Sequence, residues 1–277
     1  MPTIRLAILD MYMGTANEGM RCIRQLIRRA EVDHGVHFAT QTFDVRGQDQ
    51  LPRLTDFDVF ISSGGPGSPL ATDDAWENNY FQFVDELFAH NQTPGPRKYL
   101  LLICHSFQLV SRHLGLGELS KRKSTSFGVM PVHLTTAGHA DPVLHALPEP
   151  FFAVDSRDYQ LTHPDLDRLG TLGAEILCLE KERPHVALAR ALMAIRFSPE
   201  VLGTQFHPEA DGEGMLRYML TDERKQQVIT AYGEDKYDEM VRLLADPTTI
   251  EFTESIVVPT FLRLAVAHLA PELVAAG

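Results

Sequence analysis

Short apolar runs alternate with stretches of helical period through the first part of the chain. IRLAIL, residues 4–9, is a run of the kind that forms a buried strand. After DMYMGTANEG, the apolar positions Met20, Ile23, Leu26 and Ile27 recur on one helical face. HFATQTFDV at 37–45 and DVFISS at 58–63 read as two more strands, and the second runs directly into GGPGSP. Thr72, Asp73 and Asp74 are suited to cap a helix that carries Trp76, Tyr80, Phe83, Val84 and Leu87. YLLLI at 99–103 is wholly apolar, as a central parallel strand requires, and Cys104 opens an apolar helix that reaches Leu114.

This alternation predicts an α/β fold, a three-layer sandwich with a mostly parallel central sheet and right-handed crossovers. The middle of the chain changes character. VMPVHLT, FFAVD, EILCLE, ALMAIRF and VLGTQF are short strands with few helices between them, which predicts an antiparallel extension of the sheet. Past His207 the helical period returns. Residues 222–244 and 251–269 predict two or three amphipathic helices, with Pro259 expected to kink or end one. The organisation expected is a core of residues 1–220 followed by a C-terminal helical extension, 221–277.

Composition narrows the classes. The 277 residues are 44% hydrophobic and 8% aromatic, enough for a sizeable core and unlike a disordered chain. Lys and Arg total 25 against 37 Asp and Glu, a formal charge of −12. Nucleic acid and anionic membrane surfaces need clustered positive charge, so neither is expected as the main partner. No apolar run is long enough for a transmembrane helix, and Met1–Asp10 lacks the long apolar stretch of a signal peptide. Cys22, Cys104 and Cys178 are too few and too scattered for a disulfide framework, and none has zinc-ligand spacing. The expectation is a cytoplasmic protein with no structural metal and no cofactor.

Candidate chemistry gathers at three strand ends. Cys104 closes an apolar strand immediately before a helix, where the helix N-terminus stabilises a thiolate; a buried structural cysteine is the alternative. GGPGSP, 64–69, is a turn that can aim backbone N–H groups at an oxyanion, or an ordinary tight loop. In QFHPEAD, 205–211, His207 and Glu209 have the makings of a base and its orienting carboxylate, or of a polar surface turn. Cys22 and Cys178 read as core.

Taken together, the order of these three segments resembles the class I, triad-type glutamine amidotransferase domain, with a flavodoxin-like sheet. The family's elbow, Gly-x-Cys-x-Gly-x-Gln, is met by LICHSFQ; its Gln-Phe-His-Pro-Glu by QFHPE; its Gly-Pro-Gly turn by GGPGSP. The resemblance runs from about Ile4 to about Tyr218 and is nearest to stand-alone domains similar to the glutaminase part of GMP synthase. It implies Cys104 as nucleophile, His207 as general base and acid, and Glu209 as the carboxylate orienting His207. It implies Gly65 and the backbone N–H of His105 as the oxyanion hole. Gly67, Gln108, Ser156, Arg157 and Asp158 would line the pocket for the two ends of glutamine. The reaction implied is hydrolysis of the γ-carboxamide through a γ-glutamyl thioester, releasing ammonia for an acceptor on a synthetase partner.

The sequence departs from the pattern at three places. Leu102 and Ser106 stand where the elbow usually has glycines, with Ser106 expected to fit and Leu102 to tilt the helix. Ser156 stands where relatives often carry a histidine. No ATP-binding module follows residue 220, so residues 221–277 are read as a lid, a homodimer contact, a dock for a synthetase or a simple brace. Two other functions stay in view. One is hydrolysis of another γ-glutamyl amide or peptide by the same residues, and the other is a non-catalytic binding module.

Overall fold

The apolar run Tyr99–Ile103 lies near the middle of one large sheet with every side chain buried. The computed structural model describes residues 1–15, 17–185 and 187–271. β1 (Thr3–Asp10), α1 (Gly19–His34), β2 (His37–Asp44), α2 (Val45–Gln48), β3 (Val59–Ser62), α3 (Ala75–Gln92), β4 (Tyr99–Ile103) and α4 (His105–His113) alternate as the apolar pattern predicts. β5 (Glu118–Leu134), α5 (Thr136–Ala140), β6 (Phe151–Thr162), α6 (Leu166–Leu172), β7 (Glu175–Glu180), β8 (Leu192–Ser198) and β9 (Val201–Thr204) follow. Four helices complete the described chain: α7 (Gly212–Met219), α8 (Asp222–Tyr232), α9 (Glu234–Ala245) and α10 (Pro247–Leu269).

Among the described residues the sheet has nine strands in the order β2-β1-β3-β4-β9-β8-β7-β5-β6. β2, β1, β3, β4 and β9 pair in parallel, and β8, β7, β5 and β6 continue the sheet antiparallel. The expected α/β class and antiparallel extension are therefore present. VLGTQF differs from its expected place: as β9 it returns to the centre and joins the parallel half beside β4. The carboxyl ends of β1, β3, β4 and β9 consequently share one edge, the edge where open α/β sheets bind ligands.

Strand alternation separates two apolar layers. Leu6, Ile8, Ile61, Leu101 and Ile103 face α1 and α10, whereas Leu9, Phe60, Leu100 and Leu102 face α3 and α4. Leu102, the departure in the elbow, is wholly buried in the second layer. The close approach that a glycine permits occurs one strand over. A Cβ on Gly203 would stand 2.7 Å from the Phe107 ring and 2.6 Å from that of Phe197.

Three other features differ from the sequence pattern. β5 begins at Glu118 and pairs with β6 along most of its length, although SKRKSTS is polar. That polar half serves a charge network. Glu180 is met by Arg122, Arg157 and Arg183 at 3.1, 3.3 and 2.7 Å, and Arg157 also pairs with Asp155. At α3, Asp74 takes the N-cap position without accepting from a helix N–H; Glu77 instead accepts from the Thr72 N–H and pairs with Arg112.

The third difference is Pro259, which does not end its helix: α10 runs through it. A proline inside a helix costs about 3 kcal/mol. Val257, Val258, Phe261, Leu262, Ala265 and Val266 are all buried against the sheet and α1. Burial of each large apolar side chain contributes about 1.5–3 kcal/mol, so the packed stripe outweighs the broken hydrogen bond. No described helix is long and apolar enough to cross a membrane.

α10 is thus part of a core layer. Phe261→Ala is expected to lower the unfolding free energy by about 3–5 kcal/mol in urea titration. A loss below about 1 kcal/mol would show that α10 is not part of the core.

Candidate active site

β4 hands the chain to α4 through a single strained residue. Cys104 has φ 49° and ψ −96°, outside the regions an ordinary side chain prefers. Its N–H donates to the Thr204 carbonyl at 2.7 Å, and its carbonyl accepts from the Gln108 N–H at 3.0 Å. Ser106, the other departure in the elbow, locks the turn. Its hydroxyl accepts from the Ile103 N–H at 2.9 Å and donates to the Ser62 carbonyl at 2.8 Å, tying β3 to β4.

The strained turn lifts the Cys104 side chain to the carboxyl edge of the sheet. There the Sγ–H reaches the Ser156 carbonyl at 3.8 Å, and Gln205 Nε2 donates to the sulfur at 3.6 Å. β9 delivers His207 to the same point, where its N–H bonds the Val154 carbonyl of β6 at 2.9 Å. A methyl added at Gly64 would lie 2.8 Å from His207 Cε1 and 3.5 Å from Cys104 Cβ, so turn, ring and sulfur converge.

Glu209 Oε1 lies 2.8 Å from His207 Nδ1, and the carboxylate is almost wholly buried. Burial alone would push the His207 ring down. The Glu209 carboxylate and the Cys104 sulfur reverse this and hold the ring well above the ordinary histidine range. The arrangement favours an imidazolium next to a sulfur, the pairing that activates a thiol for attack on a carbonyl.

One cavity of about 610 Å³ opens over these groups. Gly65, Gly67, Cys104, His105, Gln108, Ser156, Arg157, Asp158, His207 and Glu209 all border it, so the ten site residues that the resemblance implies lie around one cavity. Gly65 must lack a side chain, since a Cβ there would stand 2.4 Å from the Met11 carbonyl. Gln108 and Arg157 have their polar groups engaged away from the cavity. Gln108 Nε2 donates to the Tyr159 carbonyl and to Gln205 Oε1 at 3.1 and 2.8 Å, linking it through Gln205 to the sulfur. The Arg157 guanidinium belongs to the Glu180 network, with Nη1 unpartnered. Burial, with Arg46 and Arg112 nearby, pushes the His105 ring down to about 3, so it is neutral.

Several residues at the site carry no signal readable in the sequence. Tyr12, just past β1, borders the cavity; burial and then the Glu209 and Cys104 charges push its hydroxyl pKa well up. Two arginines grip the glycine-rich turn. Arg46 donates to the Pro66 carbonyl at 2.5 Å and the Met11 carbonyl at 3.2 Å, and Arg112 donates to the Pro69 carbonyl at 2.6 Å. Gln205 could have been read from its place in the histidine motif. Cys22 is buried as expected but also borders the cavity, and burial raises its thiol to about 12. Cys178 is fully buried in the core.

Comparison with known proteins agrees in family. The model for glutamine amidotransferase class-I matches residues 19–226. A glutamine amidotransferase-like protein of Salmonella typhimurium, YfeJ, is 31% identical over 98 residues, 35% of this chain. That match spans 40% of the relative's length. The structure of a glutamine amidotransferase from Thermotoga maritima superposes with a TM-score of 0.68 at 13% identity, covering 95% of this chain and 98% of that one. A GMP synthase component from Thermoplasma acidophilum gives a TM-score of 0.51 at 18% identity, covering 75% and 85%. Both show the shared fold.

The electrostatics of the His207 ring can be tested directly. Glu209→Gln keeps the shape and removes the nearest negative charge, so the ring should release its proton at a lower pH than in the parent protein. Ring-proton NMR titration reads this, and an unmoved midpoint would mean that Glu209 is not what holds the proton.

Proposed function

The chain belongs to the class-I glutamine amidotransferase family, and from that premise we propose that it hydrolyses γ-glutamyl amides, with glutamine the parent substrate, through a thioester on Cys104. The observation that carries the reading is the His207 ring at the cavity, 2.8 Å from the Glu209 carboxylate and beside the Cys104 sulfur.

Under this reading the Cys104 thiolate attacks the γ-carbonyl carbon. Negative charge moves to the carbonyl oxygen, and the backbone N–H groups of Gly65 and His105, two residues that border the cavity, are its donors. The protonated His207 ring gives its proton to the departing nitrogen as the C–N bond breaks. The neutral ring then accepts a proton from water, which attacks the thioester, and glutamate leaves. Glu209 holds the ring in orientation and balances its charge in both halves. Asp158 and Ser156 border the cavity and are suited to the α-ammonium and α-carboxylate of the glutamyl group. With glutamine the first product is ammonia, for an acceptor that a synthetase partner would supply.

Arg46 is expected to act through the glycine-rich turn. Its guanidinium ties the Pro66 carbonyl to the Met11 carbonyl at the end of β1, and so would fix the turn whose Gly65 N–H is to meet the substrate oxygen.

Cys104→Ala should abolish release of glutamate from glutamine, and a chloroketone analogue of glutamine should label Cys104 in the parent protein. Turnover that survives in Cys104→Ala would overturn the proposal. Arg46→Met should lower kcat about tenfold to a hundredfold, less than the 10²–10³ that follows deletion of an oxyanion donor, with the folded state intact by circular dichroism. An unchanged kcat would remove Arg46 from the positioning of the turn.

A further inference from the structure

The cavity is larger than a glutamyl group requires, and its outer wall is built by other parts of the chain. Phe127 on β5, Met215 and Tyr218 on α7 and Arg224 on α8 border the same space as Cys104. Three of them form a stack. The Arg224 guanidinium carbon lies 4.4 Å from the Phe127 ring centre and 5.3 Å from that of Tyr218. Tyr232 also stacks on Phe127, with ring centres 5.9 Å apart. The guanidinium is therefore held against two aromatic rings before any ligand arrives.

Its charge is left open. Arg224 Nη1 donates to Gln227 Oε1 at 3.1 Å, its Nε is buried without a partner, and among the described residues it forms no ion pair with a carboxylate. The cavity's carboxylates meet other groups, not Arg224: Glu18 accepts from Arg21, Asp158 takes one hydrogen bond from the Thr125 hydroxyl, and Glu209 faces His207. A planar, unpaired guanidinium beside apolar rings suits a carboxylate attached to an apolar body.

We infer that this outer wall binds the amine half of the substrate, and that the substrate class is the γ-glutamyl dipeptide whose second residue is apolar. The inference rests on the amidohydrolase reading above and extends it to the leaving group. Sγ of Cys104 bonds to the γ-carbon as the C–N bond breaks, and His207 protonates the nitrogen. The free amino acid departs along the Phe127 and Tyr218 side with its carboxylate on Arg224. Water then cleaves the thioester to glutamate. The leaving group is an amino acid, so this reaction requires no ammonia acceptor.

The test compares γ-glutamyl-phenylalanine with γ-glutamyl-phenethylamide, which differ only by the carboxylate, and with glutamine. In the full chain, kcat/KM for the dipeptide should exceed that for the phenethylamide by about tenfold or more, the ordinary worth of a charge-assisted hydrogen bond. Arg224→Met keeps a stem between the rings and should bring that ratio towards unity, and Arg224→Lys should restore part of it. Calorimetry with Cys104→Ala reads the same preference as binding. Equal values for the two compounds, or a ratio untouched by Arg224→Met, would overturn the inference while Cys104-dependent hydrolysis of glutamine stands. Hydrolysis independent of Cys104 would instead remove the reading beneath it.

Discussion

The backbone of Cys104 is the constraint on which the rest depends. A non-glycine residue at φ 49° and ψ −96° is costly and persists only where its surroundings leave no alternative. They leave none here. β9 holds its N–H, α4 begins on its carbonyl, and the Ser106 hydroxyl bridges the Ile103 N–H and the Ser62 carbonyl directly beneath it. A glycine at 106 would supply no such bridge. The serine therefore adds two hydrogen bonds at the elbow, and the close approach lost with a leucine at 102 is made at its cross-strand partner, Gly203.

Once the sulfur is fixed, the remaining groups follow from sheet order. β9 lies parallel beside β4, so the residue after its end arrives at the level of Cys104, and His207 is pinned there by β6. The ring is then caught between burial and charge. Burial favours the neutral form, and one buried carboxylate at 2.8 Å with a sulfur on the other side favours the charged form strongly enough to win. His105, more deeply buried and with arginines for neighbours, goes the opposite way. The two histidines differ in the sign of the nearest charge, and only one of them is suited to carry a proton to a leaving nitrogen.

The sandwich and the three chemistry-bearing segments were legible in the sequence because each is local: an apolar run, a helical stripe, a turn of glycines, a cysteine at a strand end. What was not legible is held together by residues distant along the chain. Arg46 and Arg112 grip the carbonyls of the 64–69 turn from separate helices, and nothing beside either arginine announces it. The first half of β5 lacks an apolar pattern because its polar side chains answer distant residues: Arg122 pairs with Glu180, and Ser126 bonds Asp155. Pro259 reads as a stop because the sequence shows the lost hydrogen bond and hides the apolar layer that outweighs it.

The chain after Tyr218 combines two tasks usually given to different segments. α10 packs beside α1 on one face of the sheet, so its position is set by the core. α7, α8 and α9 pack over Phe127, Val129 and Val154 on the same two strands that flank the Cys104 sulfur. This wall packs on the β5 and β6 ribbon at one end and on α10 at the other. Arg224 lies against rings from β5 and α7 within that wall. A guanidinium on a free loop loses conformational freedom on meeting an anion, and contacts made on folding reduce that cost. The geometry of the C-terminal helices is thereby tied to the same packing that stabilises the sheet.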